Sequence, residues 1–264
     1  MNNTADVIII GGGIHGASLA FHLGQRGLKT LVLEKNVLAS GATGRSSGMV
    51  RMHYDLEPES RLAWKSFEYF RNWAEKVGGD CGFTRTGFIQ LVLEKDEDAL
   101  RGNVVMHQKI GIPSLLVTAD DVKRLAPHFR TDDFNIAAYE PESGYADPNA
   151  ATTSLMDAAK RLGARLVQDC VVRDIQLASG KVTGVSTSQG HFSAPIVVNA
   201  AGAWAKEVAT MAGIELPITT WRHDVMYVRN PQQIPEFYPA VIDNIHSMYF
   251  RSETGGADIS RARG

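Results

Sequence analysis

Cysteine is scarce in this chain. The two that 264 residues contain, Cys81 and Cys170, stand far apart in no C-x-x-C or metal-ligand spacing. No disulfide framework and no metal site is therefore expected, and reduced, buried thiols in a cytoplasmic protein are the simpler reading. A surplus of charge is missing too: Lys+Arg 27 against Asp+Glu 29 leaves a formal net charge of -2. Nothing electrostatic thus argues for a nucleic acid or an anionic membrane as partner. No apolar run is long enough for a transmembrane segment. The polar opening Met1–Asp6, followed by a short apolar run, lacks the basic flank and longer apolar stretch of a secretory signal. What is present is an ordinary globular composition, 44% hydrophobic and 21% charged, sufficient for one large core or two interlocked ones. Small molecules are the expected partners.

Val7–Ile10 is an unbroken β-branched run bounded by glycine, as a strand buried on both faces of a parallel sheet should be. From Ile14 to Gln25 a helix is predicted, with small residues on the face that meets the sheet and Gly27 as its stop. Thr30–Glu34 resumes a buried strand, completing a βαβ unit. The small-residue loop 39–48 follows, too rich in glycine and hydroxyls to be core. Pro58 is suited to open a helix whose stripe Ala63, Phe67, Phe70, Ala74, Val77 reads as core packing, ended by Gly78-Gly79. Strand material at 83–93 and helices at 96–111 and 119–125 depart from the Gly-rich βα pattern and predict a second domain inserted into the first. A helix over 150–162 returns the chain, a β-meander spans about 171–192, and Ile196–Val198 is a buried strand. Strands of the second domain are predicted at 221–228 and 247–250.

Gly11, Gly13 and Gly16 form G-x-G-x-x-G between strand and helix. The first permits a tight turn, the second lets a pyrophosphate approach the backbone, and the third allows close helix–sheet packing, with the phosphates at the helix N-terminus. Glu34 closes the second strand where a carboxylate can bond ribose hydroxyls. An acid there disfavours NADP but leaves NAD and FAD open.

The segment after it, Gly41-Ala42-Thr43-Gly44-Arg45-Ser46-Ser47-Gly48-Met49-Val50-Arg51, resembles the flavin-wrapping loop of the D-amino-acid oxidase, glycine oxidase, sarcosine oxidase and dimethylglycine dehydrogenase family. The resemblance continues in order through 83–87, 143–148, 198–204 and 249–256, so it runs from about Asp6 to about Gly256. It implies an α/β fold: a Rossmann-like FAD-binding domain of the glutathione-reductase type (1–82 and 143–213) with an inserted α+β substrate domain (83–142 and 214–264). It also implies oxidation of the C–N bond of a small amine or amino acid by hydride transfer to FAD. Cofactor contacts are expected from Gly11, Gly13, Gly16, Glu34, the loop Gly41 to Gly48, Val171, Val172, and the turn Ala200, Ala201, Gly202 with Trp204. Glycines at Gly41, Gly44 and Gly48 would let amides approach a flat ring, and the hydroxyls of Thr43, Ser46 and Ser47 would bond phosphate or ring heteroatoms.

Arg51 matches a family active-site arginine, able to stabilise an anionic reduced ring or clamp a carboxylate. Arg45 reads equally as phosphate-facing or surface. His53 could face the flavin or be a satisfied structural histidine, and Tyr249 and Arg251 could reach substrate, pack in a core or lie exposed. Ser46-Ser47-Gly48 offers no histidine for a covalent tether, and neither cysteine falls where other members use one, so FAD is expected to be non-covalent. After Gly256 the family implies an apolar strand and a substantial further part. The tail Ala257–Gly264 is polar and charged, without the alternation needed to pair into a sheet, so the substrate domain is expected to be incomplete at the C-terminus through truncation or a shifted frame. A non-catalytic FAD-binding fragment and an NAD-dependent dehydrogenase stay open as alternatives, as does the electron acceptor: oxygen, a quinone or a partner subunit.

Overall fold

The computed structural model describes residues 3–229, 231, 234–253 and 256–261. The chain divides into two compact units, each assembled from three segments: 1–46, 73–81 and 147–221 form the first, and 47–72, 82–146 and 222–264 the second.

The first unit is the α/β one. Its parallel sheet has the order Ile196–Asn199, Val7–Ile10, Thr30–Leu33, Arg165–Val167. Val7–Ile10 and Thr30–Leu33 are buried along their whole length, which is why they read as continuous apolar runs rather than alternating ones. Ile196–Asn199, expected to be buried, is an edge strand among the described residues, and Ile196 is 52% exposed. Helix Ile14–Gly24 buries Gly16, Ala17, Ala20, Phe21 and Gly24. Its neighbour, helix Pro148–Arg161, starts on proline behind Asp147, whose carboxylate accepts from the Asn149 and Ala150 amides at 2.8 and 3.1 Å. The expected meander is present as Val172–Ala178, Lys181–Thr187 and Gly190–Ser193, all antiparallel.

The second unit is α+β. Its sheet runs, across seven described strands, Asp224–Arg229, Gly256–Arg261, Met248–Glu253, Ala240–Asp243, Phe88–Leu91, Ile136–Glu140, Leu115–Thr118. Every neighbour is antiparallel except the central Ala240–Asp243 and Phe88–Leu91 pair. Helices Glu57–Arg71, Glu97–Ile110 and Ala119–Leu125 complete it, the last opened by a reciprocal capping box between Thr118 and Asp121.

Three expectations are corrected. The helix opened by Pro58 does not run to Val77: Asn72 leaves the helical region at φ -126° and ψ 37°, and Trp73–Lys76 is a separate short helix of the first unit. Across that break the apolar register slips by one, so Trp73 rather than Ala74 is buried, its indole N–H donating to Ser154 Oγ at 2.9 Å. The tail, expected to be unable to pair, forms strand Gly256–Arg261 between Asp224–Arg229 and Met248–Glu253. Ala257 and Ile259 pack with the apolar cluster around Val241, Phe129 and Tyr238, while Asp258 and Ser260 are buried on the opposite face, so a period-two pattern exists but both faces are covered. Thr254, Gly255 and 262–264 lie outside the described residues. Finally, residues 47–72, expected within the first domain, cluster with the second unit.

Candidate cofactor-binding site

In the first unit a cavity of about 780 Å³ opens beside the ends of Val7–Ile10 and Thr30–Leu33, a volume suited to a cofactor-sized ligand. The glycines that border it are there for space. Gly11 adopts φ 112°, and a Cβ on it would overlap the Ala200 carbonyl oxygen; one on Gly16 would overlap the Gly11 carbonyl oxygen. Gly11 thus makes the strand-to-helix turn while Gly16 packs beneath it, without lining the cavity itself. A Cβ on Gly13 would stand 2.9 Å from Thr43 Oγ1. That hydroxyl accepts from the Ile14 amide at 3.1 Å, capping the helix N-terminus.

Glu34 lines the cavity, 8% exposed, with both carboxylate oxygens braced: Gly12 N–H donates to Oε2 at 2.7 Å and Asn36 N–H to Oε1 at 2.8 Å. Of the other expected contacts, Gly41, Ala42, Thr43, Arg45, Val171, Val172, Ala200, Ala201, Gly202 and Trp204 line the same cavity. Gly44, Ser46, Ser47 and Gly48 do not. Gly44 is packed so that a Cβ would come within 2.6 Å of the Ala39 carbonyl oxygen, while Ser47 and Gly48 fall in the second unit. Lys35, Asn36 and Cys170 line the cavity too, although none of them was expected as a cofactor contact from the sequence. Lys35 was the most accessible of these, since it follows Glu34 directly; its ammonium sits 3.1 Å from the Trp204 ring centroid.

The four candidates for catalysis all belong to the second unit. Arg51 and His53 line its own cavity of about 650 Å³, with Asp55, Glu59 and Asp96 on the walls. The Arg51 guanidinium stacks over Tyr54, 4.1 Å from the ring centroid, and donates to the His53 carbonyl oxygen. His53 is buried, edge-on to His107 with ring centroids 4.5 Å apart. Burial, then the neighbouring His107 and Arg51, push its pKa down to about 3. Arg251 is buried and fully engaged: Nε donates to the Ser47 carbonyl at 2.5 Å, Nη1 to the Ser252 carbonyl and Nη2 to Glu253, both at 2.7 Å. With its face 4.2 Å from the Tyr145 ring centroid, it is a strut joining strand Met248–Glu253 to the start of segment 47–72. Tyr249 is partly buried and lines neither cavity.

Residues 6–259 match the DAO family, described as FAD dependent oxidoreductase. The chain belongs to that family. Sarcosine dehydrogenase of Homo sapiens mitochondria is 29% identical over 260 residues, covering 94% of this chain and 28% of that protein. The pyruvate dehydrogenase phosphatase regulatory subunit of Mus musculus mitochondria is 29% identical over 258 residues, 96% of this chain and 29% of that one. This chain therefore spans less than a third of each of these two relatives. Among solved structures, L-proline dehydrogenase from P. horikoshii superimposes with a TM-score of 0.91 at 29% identity, over 98% of this chain and 70% of that one. The Rossmann-like α/β fold expected from the sequence is borne out, and membership of an FAD-dependent family removes the reason for an NAD reading. No helix among the described residues is long and apolar enough to cross a membrane.

Proposed function

We propose that the first unit holds FAD non-covalently along its cavity, and that the protein uses it to oxidise the C–N bond of a small secondary amine or amino acid. The observation that carries this reading is Glu34, a carboxylate pinned by two backbone amides at the rim of a glycine turn and still holding free lone pairs for ribose hydroxyls. Around it, Gly11 and Gly13 let a pyrophosphate approach the N-terminus of Ile14–Gly24, whose first amide is held by Thr43 Oγ1, and Arg45 and Lys35 supply positive charge. Bound FAD supplies a two-electron acceptor for the hydride on the substrate α-carbon. The protein's share is to bind, orient and desolvate. Arg51 is the side chain suited to a substrate carboxylate, by a bidentate fork. His53 stays neutral at physiological pH and is too weak a base to take the amine proton there. The imine formed then hydrolyses in water, and the electrons pass on to oxygen, a quinone or a partner subunit. A cytoplasmic setting belongs to the same proposal, supported by two buried cysteines that are joined in no disulfide.

Full-length chain reconstituted with FAD should bleach on anaerobic addition of sarcosine, proline or glycine, and acid precipitation should leave all flavin in the supernatant. Colour in the pellet would refute the non-covalent mode. A second reading, a chain that binds FAD without turning over, is favoured by the similarity to a protein named as a regulatory subunit. It predicts a flavin spectrum that none of the three substrates bleaches.

A further inference from the structure

His53, His107 and Glu140 come from three separate parts of the second unit: the segment after strand Met49–Val50, helix Glu97–Ile110, and the last position of strand Ile136–Glu140. All three are buried, at 2%, 0% and 0% exposure, and one ligating atom of each lies within 4.8 Å of the other two. His53 Nδ1, His107 Nδ1 and Glu140 Oε1 have no hydrogen-bond partner in the protein. Buried polar atoms are seldom left so, and three such residues, each with a ligating atom within 4.8 Å of those of the other two, form a set rather than three accidents.

The opposite side of two of these groups is tied down in the manner of supported ligands. His107 Nε2 lies 2.9 Å from the Tyr54 carbonyl oxygen and 3.1 Å from Ser60 Oγ. A carbonyl only accepts, so Nε2 carries the proton and Nδ1 keeps its lone pair available. Glu140 Oε2 accepts from Met52 N–H at 2.9 Å and from the Ser143 hydroxyl at 2.8 Å, leaving Oε1 without a partner. An imidazole whose second nitrogen donates to a carbonyl, and a carboxylate whose second oxygen is held, are the outer supports that metal ligands usually have.

We propose that His53, His107 and Glu140 form a binding site for a divalent transition metal ion of the zinc type, with two imidazole nitrogens and one carboxylate oxygen as ligands. Tetrahedral zinc with bonds of about 2.0–2.2 Å sets its ligands about 3.4 Å apart, so closure asks for side-chain shifts of about 1 Å. His53 borders the cavity walled by Asp55, Glu59 and Asp96, which gives a cation an acidic way in and leaves room for a fourth ligand. Arg51, on the same wall, is the opposing charge. Burial lowers both histidines, favouring the neutral form that a ligand must have, and raises Glu140. The ion would staple three elements that otherwise meet only through packing and hydrogen bonds. The proposal is independent of the flavin chemistry.

The test is equilibrium dialysis of the full chain, with and without bound FAD, against zinc ion after chelator treatment, followed by metal analysis. Cobalt ion on the same protein reports coordination through its visible absorption. One zinc per chain and a cobalt spectrum of nitrogen and oxygen ligation are expected, with affinity reduced at least tenfold in His107→Gln and Glu140→Gln. His246→Gln, which alters the separate Asp133, Asp243 and His246 group, should bind as wild type does. Absence of stoichiometric zinc from the wild type, equal binding in all variants, or loss confined to His246→Gln would each overturn the site. Because the wild-type measurements stand alone, a variant that misfolds does not rescue the proposal.

Discussion

At the scale of single residues, the cavity of the first unit rests on Glu34 and the glycines beneath it. Glu34 answers two backbone amides, Gly12 and Asn36, that are its partners in the folded chain. Glu34→Ala therefore strands those donors and removes an acceptor for ribose at once. Hydrogen bonds to a charged group contribute about 1.5–3 kcal/mol, which corresponds to roughly 10- to 150-fold in affinity. FAD titration by flavin-fluorescence quenching should show a loss in that range, and an unchanged affinity would remove Glu34 from the site. Gly16→Ala acts differently, because its Cβ meets main chain that cannot rotate away. A loss of about 1–3 kcal/mol in urea unfolding is expected even without FAD. The buried histidine gives a pH signature. Burial brings the His53 pKa down to about 3 in the folded chain from the ordinary 6.5 of a histidine, so the unfolded chain takes up a proton that the folded chain refuses. Its contribution is present above pH 6.5 and is lost as pH falls toward 3, at up to about 1.4 kcal/mol per pH unit. Glu140 works in the opposite sense: raised by burial, it holds its proton in the folded state after the unfolded chain has lost one, so stability declines as pH rises from about 4.5. Since the two windows overlap, the difference between wild type and His53→Asn isolates the histidine, and it should shrink steadily from pH 6.5 down to 4. A flat difference would place His53 in contact with water.

At the scale of elements, the strand Gly256–Arg261 is the most informative. It lies between two others in the sheet, and Ile259 packs against the apolar cluster of Val241, Phe129 and Tyr238. Ile259→Asp would put an unpaired carboxylate into that cluster, so a loss of about 2–4 kcal/mol in chemical unfolding is expected. Asp258 on the other face is a buried carboxylate that does have a partner: burial raises its pKa, and Arg251, at 3.8 Å, offsets part of that as its ion-pair partner. Those polar inner positions explain why this strand was illegible. Alternation is read as apolar inside and polar outside, and here Asp258 and Ser260 are as buried as Ala257. The same limit hid the His53, His107 and Glu140 set, whose members come from three distant elements and share no local spacing. By contrast, Val7–Ile10, the glycine turn and Glu34 were legible because local rules suffice there: a run buried on both faces, a positive φ, and a carboxylate at a strand end. The helix break at Asn72 had no such signal, since the aromatic spacing continues through it.

At the scale of the whole molecule, the chain passes between units five times, so neither unit is a contiguous piece and the cofactor cavity draws on residues 10–45, 170–172 and 200–211 of the first. Such a cavity exists only when distant segments have assembled. A ligand that needs it binds the folded chain alone and must shift the unfolding equilibrium. At about 100 times its dissociation constant FAD should contribute about 2.7 kcal/mol, which for a chain of this size is a rise in Tm of roughly 5–10 °C. Adenosine diphosphate, reaching only the glycine turn and Glu34, should give a smaller rise at equal concentration, because the part of the cavity lined by Gly41, Ala42 and Trp204 would go unfilled. Glu34→Ala should reduce both shifts, whereas His107→Gln, a change within the second unit, should leave them intact. If NAD raised Tm as far as FAD at matched concentration, the cavity would be a generic dinucleotide site, and the flavin assignment would lose its physical basis in this chain.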